Sequence, residues 1–73
     1  MIISIEDVIA FKNAAEEIFP DKIHFHDGCG GQYFSFDEPN EELKRFTEDY
    51  FSARYIKAVF SEDGTSFYLD EVR

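Results

Sequence analysis

The stretch KIHFHDGCGGQYFSFDE at residues 22–38 decides the fold prediction. Ile23 and Phe25 alternate with polar residues before the glycine-rich run in its middle, and Phe34 and Phe36 do so after it. Such alternation is typical of strands that bury one face. The intervening DGCGG run is rich in residues that accept positive φ. The stretch therefore predicts a β-hairpin with one buried face.

The residues before this hairpin predict an amphipathic helix. Ser4 is a suitable N-cap, with Ile3 before it placed to pack on Val8, and Pro20 ends the helix because the residue before proline disfavours the α region. The predicted buried face is apolar at helical spacing, with one polar break at Lys12. This face comprises Ile5, Val8, Ile9, Lys12, Ala15, Ile18 and Phe19.

The residues after the hairpin predict a second helix and two more strands. Asn40 is the expected cap of the helix, and the strands at 55–60 and 66–70 meet at an Asp63-Gly64 turn. The apolar face of the helix comprises Leu43, Phe46, Tyr50 and Phe51. The inward residues of the strands are Ile56, Ala58, Phe60, Phe67 and Leu69.

Together these elements predict one small α+β domain over residues 1–73, in the order α-β-β-α-β-β. We expect a four-stranded antiparallel sheet with both helices packed on one face. The order also suggests an internal duplication of about 33 residues. Glu17-Ile18-Phe19 parallels Asp49-Tyr50-Phe51 and both hairpins carry Asp-Gly, although two amphipathic units can also resemble each other by chance. The pattern does not define the order of the strands in the sheet.

Charge and composition exclude several classes of function. Seven Lys and Arg against sixteen Asp and Glu give a net charge of −9, which disfavours binding to nucleic acid or to an anionic membrane surface. No apolar run is long enough to span a membrane, and no signal-peptide pattern is present. Nine Phe and four Tyr provide the apolar surface that so short a chain needs to fold. We therefore expect a folded, acidic, cytoplasmic domain.

The sheet face opposite the helices is the first candidate site. It is predicted to carry three tyrosines, Tyr33, Tyr55 and Tyr68, together with Lys57. Exposed aromatic side chains in one patch are typical of protein interfaces, although tyrosine is also a good strand former that tolerates a surface position. This face favours a non-enzymatic domain that binds a protein partner, preferably a basic one, or forms a homodimer. No catalytic residue is assigned.

The hairpin loop is the second candidate site. His24, His26 and Cys29 could bind a transition metal such as zinc or copper, with Asp27 in reach, because imidazole and thiolate are its preferred ligands. Alternatively, the imidazoles could activate Cys29 as a nucleophilic or redox-active thiol. The third interpretation is a structural turn with an incidental cysteine.

At this loop the chain resembles the RDAC family of small bacterial proteins, which carry an Arg-Asp-Ala-Cys motif followed by glycine between two strands. The matching residues are Asp27, Cys29 and Gly30, whereas His26 and Gly28 stand where the family has Arg and Ala. The segment FSEDGTSF at 60–67 also resembles a strand region of that family. The resemblance implies a similar length and hairpin, but no activity.

Overall fold

The structure is a computed structural model that describes residues 2–28 and 30–71. Its elements are α1 (Ile5–Glu16), β1 (Ile23–Gly28), β2 (Gly31–Phe36), α2 (Glu41–Ser52), β3 (Ile56–Phe60) and β4 (Ser66–Glu71). The strands form one antiparallel sheet in the order β1-β2-β4-β3. Both helices pack against the sheet, so the predicted fold class is confirmed. Within residues 2–28 and 30–71, neither helix has the length and apolar character that a membrane crossing requires.

The strand order, which the sequence pattern left undefined, places β2 and β4 at the centre. Phe34 lies opposite Phe67 and Ser35 lies opposite Ser66 in this central pair. Each hairpin therefore contributes one central and one edge strand. A twofold axis between β2 and β4 would produce this order from two α-β-β halves.

Both predicted helix caps are present. The Ser4 hydroxyl accepts a hydrogen bond from the backbone N–H of Asp7 at 3.2 Å, and Ile3 and Val8 are both buried in the core. The Asn40 side chain accepts from the N–H groups of Glu42 and Leu43 at 3.0 and 3.2 Å. These bonds satisfy donors that a helix start otherwise leaves unpaired.

Helix α1 ends earlier than predicted and buries a different face. The backbone N–H groups of Ile18 and Phe19 both donate to the Ala15 carbonyl, so the last turn tightens before Pro20 and Ile18 points to solvent. The residues that α1 buries are Val8, Phe11 and Ala15. The predicted face was wrong at three positions, since Ile5, Ile9 and Ile18 are each more than half exposed.

Phe11, which the predicted face omitted, lies at the centre of the core with no exposed surface. Its ring is 5.7 Å from Phe34 and 6.0 Å from Phe67 on the two central strands. It is also 4.8 Å from Phe51 and 5.3 Å from Tyr50 on α2. One side chain therefore joins both helices to both hairpins.

Helix α2 buries Leu43, Thr47 and Phe51 completely or nearly so, while Phe46 and Tyr50 are partly buried beside α1. Thr47 is the polar member of this face. It has no exposed surface, and its hydroxyl finds no hydrogen-bond partner among the described residues. Burying a hydroxyl without a partner costs about 1–3 kcal/mol.

We expect Thr47→Val to raise the free energy of unfolding by about 1 kcal/mol. Valine keeps the branched shape of threonine but replaces the unpaired hydroxyl with a methyl group. Urea denaturation followed by circular dichroism measures the change, with Thr47→Ser as the matched variant that keeps the hydroxyl and loses the methyl. A Thr47→Val protein less stable than wild type would show that the hydroxyl is stabilising.

The two hairpins close differently. In the first, pairing extends to Gly28 and Gly31, so only positions 29 and 30 lie between the strands, and Gly31 adopts φ +105°, which favours glycine. In the second, five residues (61–65) join the strands. There Asp63 accepts hydrogen bonds from the Ser61 hydroxyl and from the hydroxyl and N–H of Thr65, and these bonds lower the pKa of Asp63 to about 2. The carboxylate thus organises this turn.

Candidate functional site

The open face of the sheet carries a row of side chains that crosses all four strands. His26 on β1 lies opposite Tyr33 on β2, and Tyr68 on β4 lies opposite Val59 on β3. The central register pairs Ser35 with Ser66 and Phe34 with Phe67, and its continuation by one further residue would place Tyr33 opposite Tyr68. The row therefore runs His26, Tyr33, Tyr68 and Val59. We call these four residues the cross-sheet row.

Aromatic stacking begins this row at the β1 side. The rings of His26 and Tyr33 are 4.5 Å apart and inclined by only 12°, which is a stacked pair. Tyr33 and Tyr68 remain 46% and 51% exposed, although their neighbours Phe34 and Phe67 are buried on the other face. The row is therefore an exposed amphipathic surface on a rigid sheet.

Two further residues predicted for this surface have different positions. Lys57 lies opposite Asp70 at the β3 side of the sheet, so it is a strand residue of the open face. Tyr55 precedes β3, has φ +61° and is 81% exposed. The predicted third strand therefore began one residue too early, because the left-handed backbone at Tyr55 belongs to the turn after α2.

Each histidine of β1 hydrogen-bonds a different side chain on or after β2. His24 Nε2 donates to Asp37 Oδ1 at 3.1 Å, and His26 Nε2 lies 2.8 Å from Ser35 Oγ. A carboxylate only accepts, so Nε2 is the donor in the bond to Asp37 and Nδ1 is the ring nitrogen outside this bond. Within the described segments, no hydrogen bond uses Nδ1 of either ring.

The predicted metal site is not assembled by the described part of this chain alone. No three His, Cys, Asp or Glu side chains in residues 2–28 and 30–71 are close enough to hold an ion. Cys29 lies outside the described residues, so the predicted thiol chemistry and its role as a ligand stay predictions. Asp27 is occupied by a bond from the Gln32 amide at 3.3 Å.

The sequence pattern missed the partners of the two histidines. Neither Ser35 nor Asp37 is among the predicted site residues. Asp37 is two residues beyond Ser35 and just outside β2, which ends at Phe36. The signal was available, because residues two apart along a strand share a face.

Comparisons with family models, with curated proteins and with solved structures found no match for this chain. The resemblance to the RDAC family therefore stays a prediction.

Proposed function

We propose that this domain is a non-enzymatic protein-interaction module that binds its partner through the open face of the sheet. The observation that supports the proposal is the cross-sheet row, in which two half-exposed tyrosines lie side by side on the central strands. Tyrosine in such a position provides a large contact area at a low cost in conformational entropy. The buried aromatic core beneath keeps these side chains in place.

The distribution of charge indicates the chemistry of the partner. The chain carries −9 overall, but the cross-sheet row itself contains no acidic residue. Acidic residues lie around it, including Asp37 beside His24 and Asp70 opposite Lys57. A partner with an apolar or aromatic centre and a basic rim complements this surface, because the acidic surroundings steer it and the row supplies the contact.

Site-specific photo-crosslinking in the source cells tests this function. A photoreactive phenylalanine analogue at position 68 is expected to give a protein adduct of defined mass, and the same analogue at position 18 is not. Ile18 is a suitable control position because it is 62% exposed and lies on the helical side of the domain. In an extract of those cells, adduct formation that falls when excess domain without the analogue is added before irradiation establishes a saturable site.

The variant Tyr33→Ser/Tyr68→Ser tests the residues of that site. Loss of two central aromatic contacts is expected to weaken partner binding at least 30-fold, as measured with the captured partner. Ile18→Ser is the matched control and should bind like wild type. Equal crosslinking at positions 68 and 18, or unchanged binding by a folded double variant, would exclude the open face as the interface.

A further inference from the structure

The outer edge of the sheet at β1 adjoins the open face at His26, and the proposed function does not use its unpaired backbone groups. β1 pairs with β2 on one side and with no strand of the described segments on the other. An unpaired edge presents a row of backbone donors and acceptors that can pair with another strand. The outer edge of β3 is also unpaired among the described residues, but the helices beside the two edges present different side chains.

The helix flank beside β1 is apolar in its first half and charged in its second half. Lys12 and Glu16 of α1 line a groove of about 460 Å³ together with Ile23 and His24 of β1, so this flank of α1 lies on the β1 side. Helical spacing places Ile5 and Ile9 on the same stripe as Lys12 and Glu16. Ile5 and Ile9 are 62% and 51% exposed. Exposed isoleucines therefore accompany the free β1 edge.

The helix flank beside β3 is polar. Glu48 and Ser52 of α2 line the corresponding cleft with Lys57 and Ala58 of β3. Charged side chains at an edge discourage strand pairing. The two flanks thus differ, since α2 presents only polar side chains at Glu48 and Ser52, whereas α1 presents Ile5 and Ile9 in addition to the charged Lys12 and Glu16.

We propose that two copies of this domain pair antiparallel through β1 and that the paired edges bind one divalent transition-metal ion between their histidines. Opposite residues of an antiparallel pair lie on the same face of the sheet. His24 and His26 of one copy therefore lie on the same face of the joined sheet as His24 and His26 of the second copy. In the register centred on Phe25, His24 lies opposite His26 of the second copy, and four imidazoles converge on the open face.

The chemistry of the histidines fits this ion. Zinc binds imidazole nitrogen at about 2.0–2.1 Å and prefers four ligands, and opposite Cβ atoms about 4.5–5.5 Å apart allow two rings to share it. The Asp37 carboxylate holds His24 through Nε2 and leaves Nδ1 as the nitrogen that would bind the ion, and a carboxylate on the other ring nitrogen is common in metal-binding histidines. One chain supplies only a His-x-His pair, so the site is incomplete without the second copy.

The arrangement of the helices on the sheet supports a second copy of this domain as the partner of the β1 edge. Neighbouring strands lie about 4.8 Å apart and packed helices lie about 8–10 Å apart, so one helix covers about two strands and two helices cover all four. Joining two sheets at β1 therefore continues the helical layer and brings the Ile5 and Ile9 flanks of the two α1 helices together. Because β1 has only six residues and each copy carries −9, pairing without metal is weak. The ion supplies attraction and positive charge at the junction.

Sedimentation velocity with zinc chloride or with EDTA tests the proposal on the full chain. With EDTA we expect a monomer of 8.5 kDa, and with zinc a species of twice that mass that binds one ion per two chains. Calcium at the same concentration should leave the monomer unchanged, because calcium takes oxygen ligands and would act only on the carboxylates. Cys29→Ser should retain the zinc-dependent dimer.

Four variants assign the contacts. His24→Gln and His26→Gln should abolish the zinc dependence, and Ile5→Glu should weaken the dimer at least tenfold while Ile18→Glu, equally exposed in wild type, should not. The proposal would be overturned if the mass stayed at the monomer value under saturating zinc, or if each chain bound its own ion. It would also be overturned if the dimer formed equally in EDTA, or if Cys29→Ser lost zinc binding. Tyr68→Ser alone separates it from the proposed function, since Tyr68 lies two strands away from β1 and this variant should weaken partner binding but still dimerise with zinc.

Discussion

Phe11→Ala is expected to lower the free energy of unfolding by about 3–5 kcal/mol. The side chain has no exposed surface and its ring meets rings from β2, β4 and α2, so its removal leaves a cavity that no single element can collapse to fill. A domain of this length has a total stability of about 4–11 kcal/mol. The substitution should therefore remove between about a quarter and all of the stability of the domain.

Urea denaturation followed by circular dichroism and by tyrosine fluorescence measures this loss. Ile9→Ala, on the same helix, is the matched control and should change stability by less than about 0.5 kcal/mol, because Ile9 is half exposed. Phe11→Leu should lower the free energy of unfolding by an amount between those of Ile9→Ala and Phe11→Ala. If Ile9→Ala proved as damaging as Phe11→Ala, Phe11 would not mark the buried face of α1.

The second large effect is expected from Phe67→Ala, again with a loss of about 3–5 kcal/mol. Phe67 is 2% exposed and stacks on Phe34 across the central strand pair, with ring centroids 4.7 Å apart and planes inclined by 4°. It also lies 4.9 Å from Phe60 and 5.7 Å from Phe36. This cluster joins the first hairpin to the second, so its loss should destabilise both.

Hydrogen exchange followed by NMR distinguishes a global effect from a local one. In Phe67→Ala, the amides of β1 and β2 should lose protection together with those of β3 and β4, since the two halves share one core. Tyr68→Ala is the matched control, because Tyr68 is the next residue of β4 and lies on the open face. Protection of β1 and β2 that persisted in Phe67→Ala would show that the first half is stable by itself.

The element order was predictable because two periodicities are clear in this chain. The alternation around Phe25 and Phe34 fixes which strand face is buried, and Ser4 and Asn40 mark the helix starts. The face of α1 was not predictable to the same degree. Several overlapping apolar stripes fit a helix with so many apolar residues, and only packing against the rings of both hairpins selects the stripe that contains Phe11.

The candidate site was predictable in its face but not in its neighbours. Strand alternation alone places Tyr33, Tyr68 and both histidines on the open side. The strand order that brings Tyr33 next to Tyr68 is a tertiary property, because β2 and β4 are far apart in the chain. The bond from His24 to Asp37 likewise depends on the hairpin register. The sequence pattern does not define that register, because a shift of two residues keeps the same strand face buried.

The position of Phe67 also bears on how the protein is made. Phe11 is synthesised early, but the rings that enclose it come from β2, α2 and β4, and β4 is the last of these elements to leave the ribosome. Until then, the nascent chain carries Phe11, Phe34 and Phe51 without their common partner. We therefore expect the domain to fold only once β4 has emerged, and the unfinished chain to be a natural client for chaperones that shield aromatic segments.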